Sequence, residues 1–160
     1  MLDVEVTTRE GRQPLPKAAI VALVRTALRR VGIRHASVSI AFVSDVVMRR
    51  LNRSYRKRDA VTDVLSFGAL RTRAGGFARH TPGAGRMPRE LTIPTGEIVI
   101  APREAARRAK EHGVSLKDEL LLLLVHGSLH LAGYDHERPK DAAVMLPLQE
   151  NIIAALERKA

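Results

Sequence analysis

Half of the six histidines in this 160-residue chain fall in one short stretch, His126-Gly127-Ser128-Leu129-His130-Leu131-Ala132-Gly133-Tyr134-Asp135-His136. On a helix, residues four apart share a face, so His126 and His130 stack their imidazoles within reach of a single ion. Gly133 suits the left-handed conformation that ends a helix and turns the chain back, which delivers His136 as a third nitrogen. Three nitrogens and one open position are the arrangement of catalytic zinc, whereas structural zinc is closed by four protein ligands. Zinc so held lowers the pKa of its bound water to about 7. The chain has no cysteine, which excludes thiolate sites, disulfides and a cysteine nucleophile and leaves any zinc to histidine nitrogens. Metal occupancy is expected to fall below about pH 6, because imidazole must be neutral to ligate. His35, His80 and His112 lie in or beside predicted loops and read as ordinary histidines.

The spacing His-x3-His-x5-His, with its intervening glycine, also fits the metzincin peptidase pattern H-E-x-x-H-x-x-G-x-x-H. The glutamate that serves those peptidases as general base is Gly127 here, so peptide hydrolysis by that route lacks its proton acceptor. A phosphodiester instead needs cations to stabilise the charge of its transition state, and a metal with an arginine supplies them. Such cations stand in Leu51-Asn52-Arg53-Ser54-Tyr55-Arg56-Lys57-Arg58-Asp59, just ahead of Thr62-Asp63-Val64-Leu65-Ser66-Phe67. Asp135, Asp63 and Glu97 are candidate proton acceptors, Asp135 being also placed to orient a histidine. Thr62 and Ser66 are candidate pocket residues.

Positioning these groups requires a folded scaffold, and the composition provides for one. With 45% hydrophobic and 28% charged residues the chain can bury a core without staples. No apolar run reaches the ~18–20 residues of a membrane span. The start lacks the basic and apolar regions of a signal peptide, and a cytoplasmic protein is expected. The formal charge of +10 makes polyanions the leading partner class. Between Arg25 and Arg58 ten basic residues face one acid, Asp45; five aromatics are too few for an obvious base-stacking platform.

Alternation predicts strands at Leu2–Val6 and Val38–Phe42, and short strands at Val64–Phe67 and Glu97–Ile100. Helical spacing predicts helices over Lys17–Val31, from Ser44 or Asp45 to about Arg53, over Pro102–His112, Leu116 to about Leu131, and about Ala142 to Arg158. Pro147 is a predicted kink in the last of these. Residues 69–95 read as a long Gly/Arg-rich loop. The order β-α-β-α-β-β-α-α-α predicts one α+β domain over residues 1–160, a small mixed sheet packed with about five helices.

Several motifs together carry a specific resemblance: Leu51-Asn52 with Tyr55-Arg56 and Asp59, then Thr62 to Phe67, then Gly96-Glu97-Ile98-Val99-Ile100, then the three-histidine motif. The chain resembles the bacterial YbeY-type family from about Val38 to its C-terminus. That resemblance implies a zincin-like fold and a zinc-dependent, single-strand-specific endoribonuclease. It implies a role in maturing the 3′ end of small-subunit (16S) ribosomal RNA and in ribosome quality control. It implies one zinc on His126, His130 and His136, with Arg56 and His126 catalytic. The implied partners are single-stranded RNA, the 16S precursor, and the small subunit with its assembly proteins, met by a monomer. Two departures stand out: Glu97 replaces the family's usual Asp, and the 69–95 loop is longer. A ribosome-assembly binding factor with a mainly structural metal, and a zincin-like peptidase, are the alternative readings.

Overall fold

A computed structural model of the chain describes residues 1–9, 11–70 and 95–159. The elements run β1 (Leu2–Thr8), α1 (Lys17–Arg30), β2 (Ala36–Phe42), α2 (Asp45–Arg56), β3 (Val64–Gly68), β4 (Thr95–Ile100), α3 (Pro102–His112), α4 (Leu116–Leu131) and α5 (Pro139–Glu157). The order is the expected one, and the architecture is the expected α+β domain with a mixed four-stranded sheet and five helices. The Gly/Arg-rich loop, and His80 within it, lie almost wholly outside the described residues.

The sheet order is β1-β2-β4-β3; β1, β2 and β4 are parallel, and β3 runs antiparallel to β4 at the edge. Alternation gives the sheet two apolar faces. Val4, Val6, Val38, Ile40, Phe42, Ile98 and Ile100 point to the side covered by α1, α3 and α4, where the main core lies. Ala41, Val43, Leu65 and Val99 point to the other side, against Met48, Val47 and Leu51 of α2. The basic run that reads as one stripe in sequence is therefore divided. Arg25, Arg29 and Arg30 belong to α1 on one side, and Arg49, Arg50, Arg53 and Arg56 to α2 on the other.

Two helices are longer than predicted. Ser44 caps α2 as expected, its Oγ accepting from the Val47 N–H at 3.3 Å. The helix runs on to Arg56, however, because Lys57 takes a left-handed conformation and returns its N–H to the Asn52 carbonyl. The buried Asn52 side chain then donates to the Ala60 carbonyl at 2.8 Å and ties down the following loop. The added turn carries Tyr55 and Arg56. Helix α5 begins at Pro139, a favourable first-turn position, and continues through Pro147. An interior proline costs a helix about 3 kcal/mol; burial of Met145, Gln149, Ile152 and Ala155 along α5 offsets it.

Helix α4 is buried over most of its circumference and touches α1, α3, α5, β3 and β4. Ser115 caps it, accepting from the Asp118 N–H at 3.0 Å and donating to Asp118 Oδ2 at 2.7 Å. It reaches β4 closely through two glycines. A Cβ on Gly96 would stand 2.8 Å from Leu131 Cδ1, and one on Gly127 would stand 3.0 Å from Ile98 Cγ2. The end of α4 also holds the chain leaving β3, the Leu70 N–H donating to the Leu131 carbonyl at 2.8 Å. Gly96→Ala is expected to overpack this contact and cost about 1–3 kcal/mol. Urea unfolding measures it, and a midpoint equal to wild type would mean that α4 is not held by this approach.

Candidate metal centre

The three histidines converge. Their ligand nitrogens all lie within 4.8 Å of one another, the one such group of metal-ligating side chains among the described residues. His126 and His130 come from successive turns of α4, and their Nε2 atoms are 3.0 Å apart. His136 comes from the turn beyond it, its ring centroid 5.0 and 5.1 Å from those of His126 and His130. The turn has two fasteners. Gly133, at φ 102°, donates to the His130 carbonyl while Tyr134 donates to that of Leu129, the paired bonds of a Schellman ending. Asp135 Oδ1 then accepts from the backbone N–H groups of His136 at 2.7 Å and Glu137 at 3.2 Å.

Gln149 of α5 is a member that sequence reasoning missed. Its Oε1 lies 2.8 Å from His126 Nδ1, and a carbonyl oxygen only accepts, so Nδ1 carries the proton and Nε2 keeps its lone pair. That lone pair points at His130 Nε2. Two nitrogens sharing one zinc at about 2.0–2.1 Å each would stand about 3.3 Å apart; the observed separation fits a shared cation. The signal for Gln149 was its position. Met145, Gln149 and Ile152 recur at helical spacing on the buried row of α5, and a polar residue in such a row needs a partner.

Burial governs the protonation of the two helix histidines. For His130, desolvation, the charges of His126 and His136, and that of Arg56 lower the pKa to about 4, against Asp135. For His126, desolvation first, then His136 and Arg56, lowers the pKa, against the Gln149 hydrogen bond and Asp63, which raise it. Arg56, the last residue of α2, is thus near enough for its charge to be felt at both imidazoles, although α2 lies across the sheet from α4.

The candidate carboxylates are placed differently. For Asp135, partial burial raises the pKa, but the two backbone donors and the charges of His130 and His136 bring it below the usual carboxylate range. Asp63 Oδ1 accepts from the Val64 N–H at 2.9 Å and from Thr62 Oγ1 at 3.4 Å, and its Oδ2 is 3.6 Å from Arg108 Nε. Asp63 and Thr62 together hold the entry to β3. Glu97 alternates with Gly96 and Ile98, which face α4, and so points to the opposite side of the sheet. Ser66 pairs with Ile98 and is on the α4 side. His112 is 3.1 Å from the buried Glu119, and His35 meets the N-terminal amine; neither joins the triad.

Gly127 lies buried against Ile98, which explains its presence beside the first histidine. Any side chain there would press on the Ile98 side chain, so packing favours the glycine that the sequence has in place of the peptidase base.

No helix among the described residues is long and apolar enough to cross a membrane. Comparison with known proteins places these features in a family. A Myxococcus xanthus protein named Endoribonuclease YbeY is 43% identical over 129 residues, 81% of this chain; the chain spans only 40% of that longer relative. The Endoribonuclease YbeY of Renibacterium salmoninarum is 36% identical over 96% of this chain and 92% of its own, and that of Geobacter metallireducens is 32% identical over 99% and 98%. The solution structure of a Thermotoga maritima protein superposes with a TM-score of 0.59 at 25% identity, covering 99% of this chain and 91% of that one. The family profile described as Endoribonuclease YbeY matches residues 5–157, a span that holds the Arg56 segment, all three histidines and Gln149. Sheet, triad and sequence coincide over nearly the whole chain, which belongs to the YbeY family of endoribonucleases.

Proposed function

We propose that this chain cuts single-stranded RNA with one zinc ion held by His126, His130 and His136, and that Arg56 binds the phosphate being cut. The observation that carries the reading is the convergence of three ligand nitrogens with Arg56 close by and no carboxylate at position 127. When bound, the ion supplies Lewis-acid stabilisation of phosphate charge and acidifies water.

The chain's own residues do the rest. Gln149 holds the proton on His126 Nδ1 and so keeps Nε2 available. Asp135 fixes the turn that presents His136. Arg56 offers a planar set of donors matched to two phosphate oxygens, and the other cations of α2 attract the strand around it. His126 is both ligand and catalytic residue in this reading. The physiological substrate we propose is the 3′ region of the 16S ribosomal RNA precursor on the small subunit, met in the cytoplasm by a monomer, with ribosome quality control as the wider role. Residues 1–160 act as one domain.

Arg56→Ala is expected to lower single-stranded RNA cleavage by about 100- to 1,000-fold while leaving metal content unchanged. His126→Ala and chelator treatment should remove metal and cleavage together. Undiminished cleavage by both variants would overturn the assignment. A folded, RNA-binding protein whose wild type never cleaves would point instead to the assembly-factor reading.

Gln149→Leu preserves volume but removes the acceptor, and is expected to weaken zinc binding about 10- to 100-fold in a chelator competition. Equal affinity would show that Gln149 serves only packing.

The pH dependence has a definite sign. Unfolded His130 takes up a proton near its ordinary pKa of about 6.5, whereas the folded residue does so only near 4. As pH falls between these values the unfolded state binds more protons, so the metal-free protein loses stability. The shift keeps His130 neutral below pH 6, and burial lowers His126 in the same direction, so metal release should come at lower pH than sequence alone suggested. Thermal melts of metal-free wild type and His130→Asn from pH 7.5 to 4.5 test it. Identical pH profiles would refute the coupling.

A further inference from the structure

Two of the five aromatic residues, twelve positions apart in sequence, meet at the β3 edge of the sheet. The rings of Tyr55 and Phe67 are 4.9 Å apart at 61°, an edge contact. Tyr55 extends the sheet-facing row of α2 formed by Met48, Leu51 and the buried polar Asn52. Unlike the members before it, it runs past the cover of the sheet and is 50% exposed. The helix ending described above, with Lys57 left-handed and Asn52 gripping Ala60, is what holds it there.

A half-exposed ring backed by a second ring is a ready platform for a planar, sequence-indifferent partner, and base–aromatic stacking is worth about 1–3 kcal/mol in single-strand binding. The charges around it favour a nucleotide over a free anion. Arg53, Arg56, Lys57 and Arg58 flank Tyr55 along the chain, all exposed. On the other flank Glu97 pairs with Phe67 across β3 and β4 and faces the same side. A bare phosphate is repelled from the Glu97 side, whereas a neutral base joined to phosphates can lie on the ring and reach the arginines. Tyr55 also adjoins Arg56, whose charge reaches His126 and His130 on the other side of the sheet.

We propose that Tyr55, supported by Phe67, is the seat of one unpaired base of the bound RNA, next to the nucleotide whose phosphate Arg56 binds. The proposal rests on the endoribonuclease reading and adds to it a reason for single-strand preference, since a base paired in a duplex cannot lie on the ring.

The test uses zinc-loaded full-length protein and 2′-O-methyl RNA oligonucleotides carrying 2-aminopurine at each position in turn. Wild type should quench the fluorescence at one position. Tyr55→Phe and Tyr55→Trp should keep the quench, and Tyr55→Leu, which retains an apolar contact to Phe67, should lose it and bind about ten-fold more weakly. Thermal melts check that Tyr55→Leu is folded. Wild-type quenching and affinity in Tyr55→Leu would overturn the proposal. A wild type that cleaves single-stranded RNA but quenches at no position would overturn the seat and leave the endoribonuclease reading standing. A wild type that neither binds nor cleaves RNA would overturn both.

Discussion

The approach of α4 to β4 is the constraint on which the other features depend. At Gly127 and Gly96 the helix and strand meet with no Cβ between them, and Ile98 and Leu131 fill the space directly. That contact fixes the height and rotation of α4, and so the face on which His126 and His130 stand. It also brings the C-terminal end of α4 to the sheet edge, where the Leu131 carbonyl receives Leu70 beyond β3. A helix held a side chain further out would carry the same histidines away from the segment that ends in Arg56. The same closeness favours glycine at position 127, where a side chain would press on Ile98, so the packing that seats the histidines also bears on what can stand beside them.

Burial then sets the charge state of what the fold assembles. Two imidazoles partly withdrawn from water, beside one another and within the field of an arginine, are held neutral, the state in which nitrogen can ligate. Orientation comes from residues around them. Gln149 decides which nitrogen of His126 carries the proton, and Asp135 spends one carboxylate oxygen on two backbone donors of the turn that bears His136. The histidine cluster and the groups that orient it thus come from α4, the following turn and α5.

Much of this was legible in the chain. Alternating strands, helical periodicity and the terminus signals at Ser44 and Gly133 announce every element in order, because each is a local consequence of residue type. The triad was legible for the same reason, since its members sit within one helix and its exit turn. What was not legible depends on contacts between distant segments. The extra turn of α2 follows from Lys57 adopting a left-handed conformation and from Asn52 bonding Ala60, neither of which local propensity favours. Gln149 and the meeting of Tyr55 with Phe67 require the tertiary arrangement. The basic run looked continuous because sequence, although it predicts the strand between its halves, cannot show that α1 and α2 pack on opposite sides of the sheet.

The ladder between β3 and β4 has a separate consequence. Gly68 and Gly96 are register partners at its open end, and Leu70 is pinned to α4 immediately beyond. The chain therefore leaves and re-enters the folded body at adjacent points, both fixed by bonds that do not involve the residues between. In general, closing a loop costs only about 0.6 kcal/mol more for each doubling of its length. Lengthening, shortening or replacing the segment between these points, even by a whole inserted module, should leave the histidine cluster on α4 undisturbed. The β3–β4 junction is in this sense a port through which such a protein can gain or lose an attachment without rebuilding its chemistry.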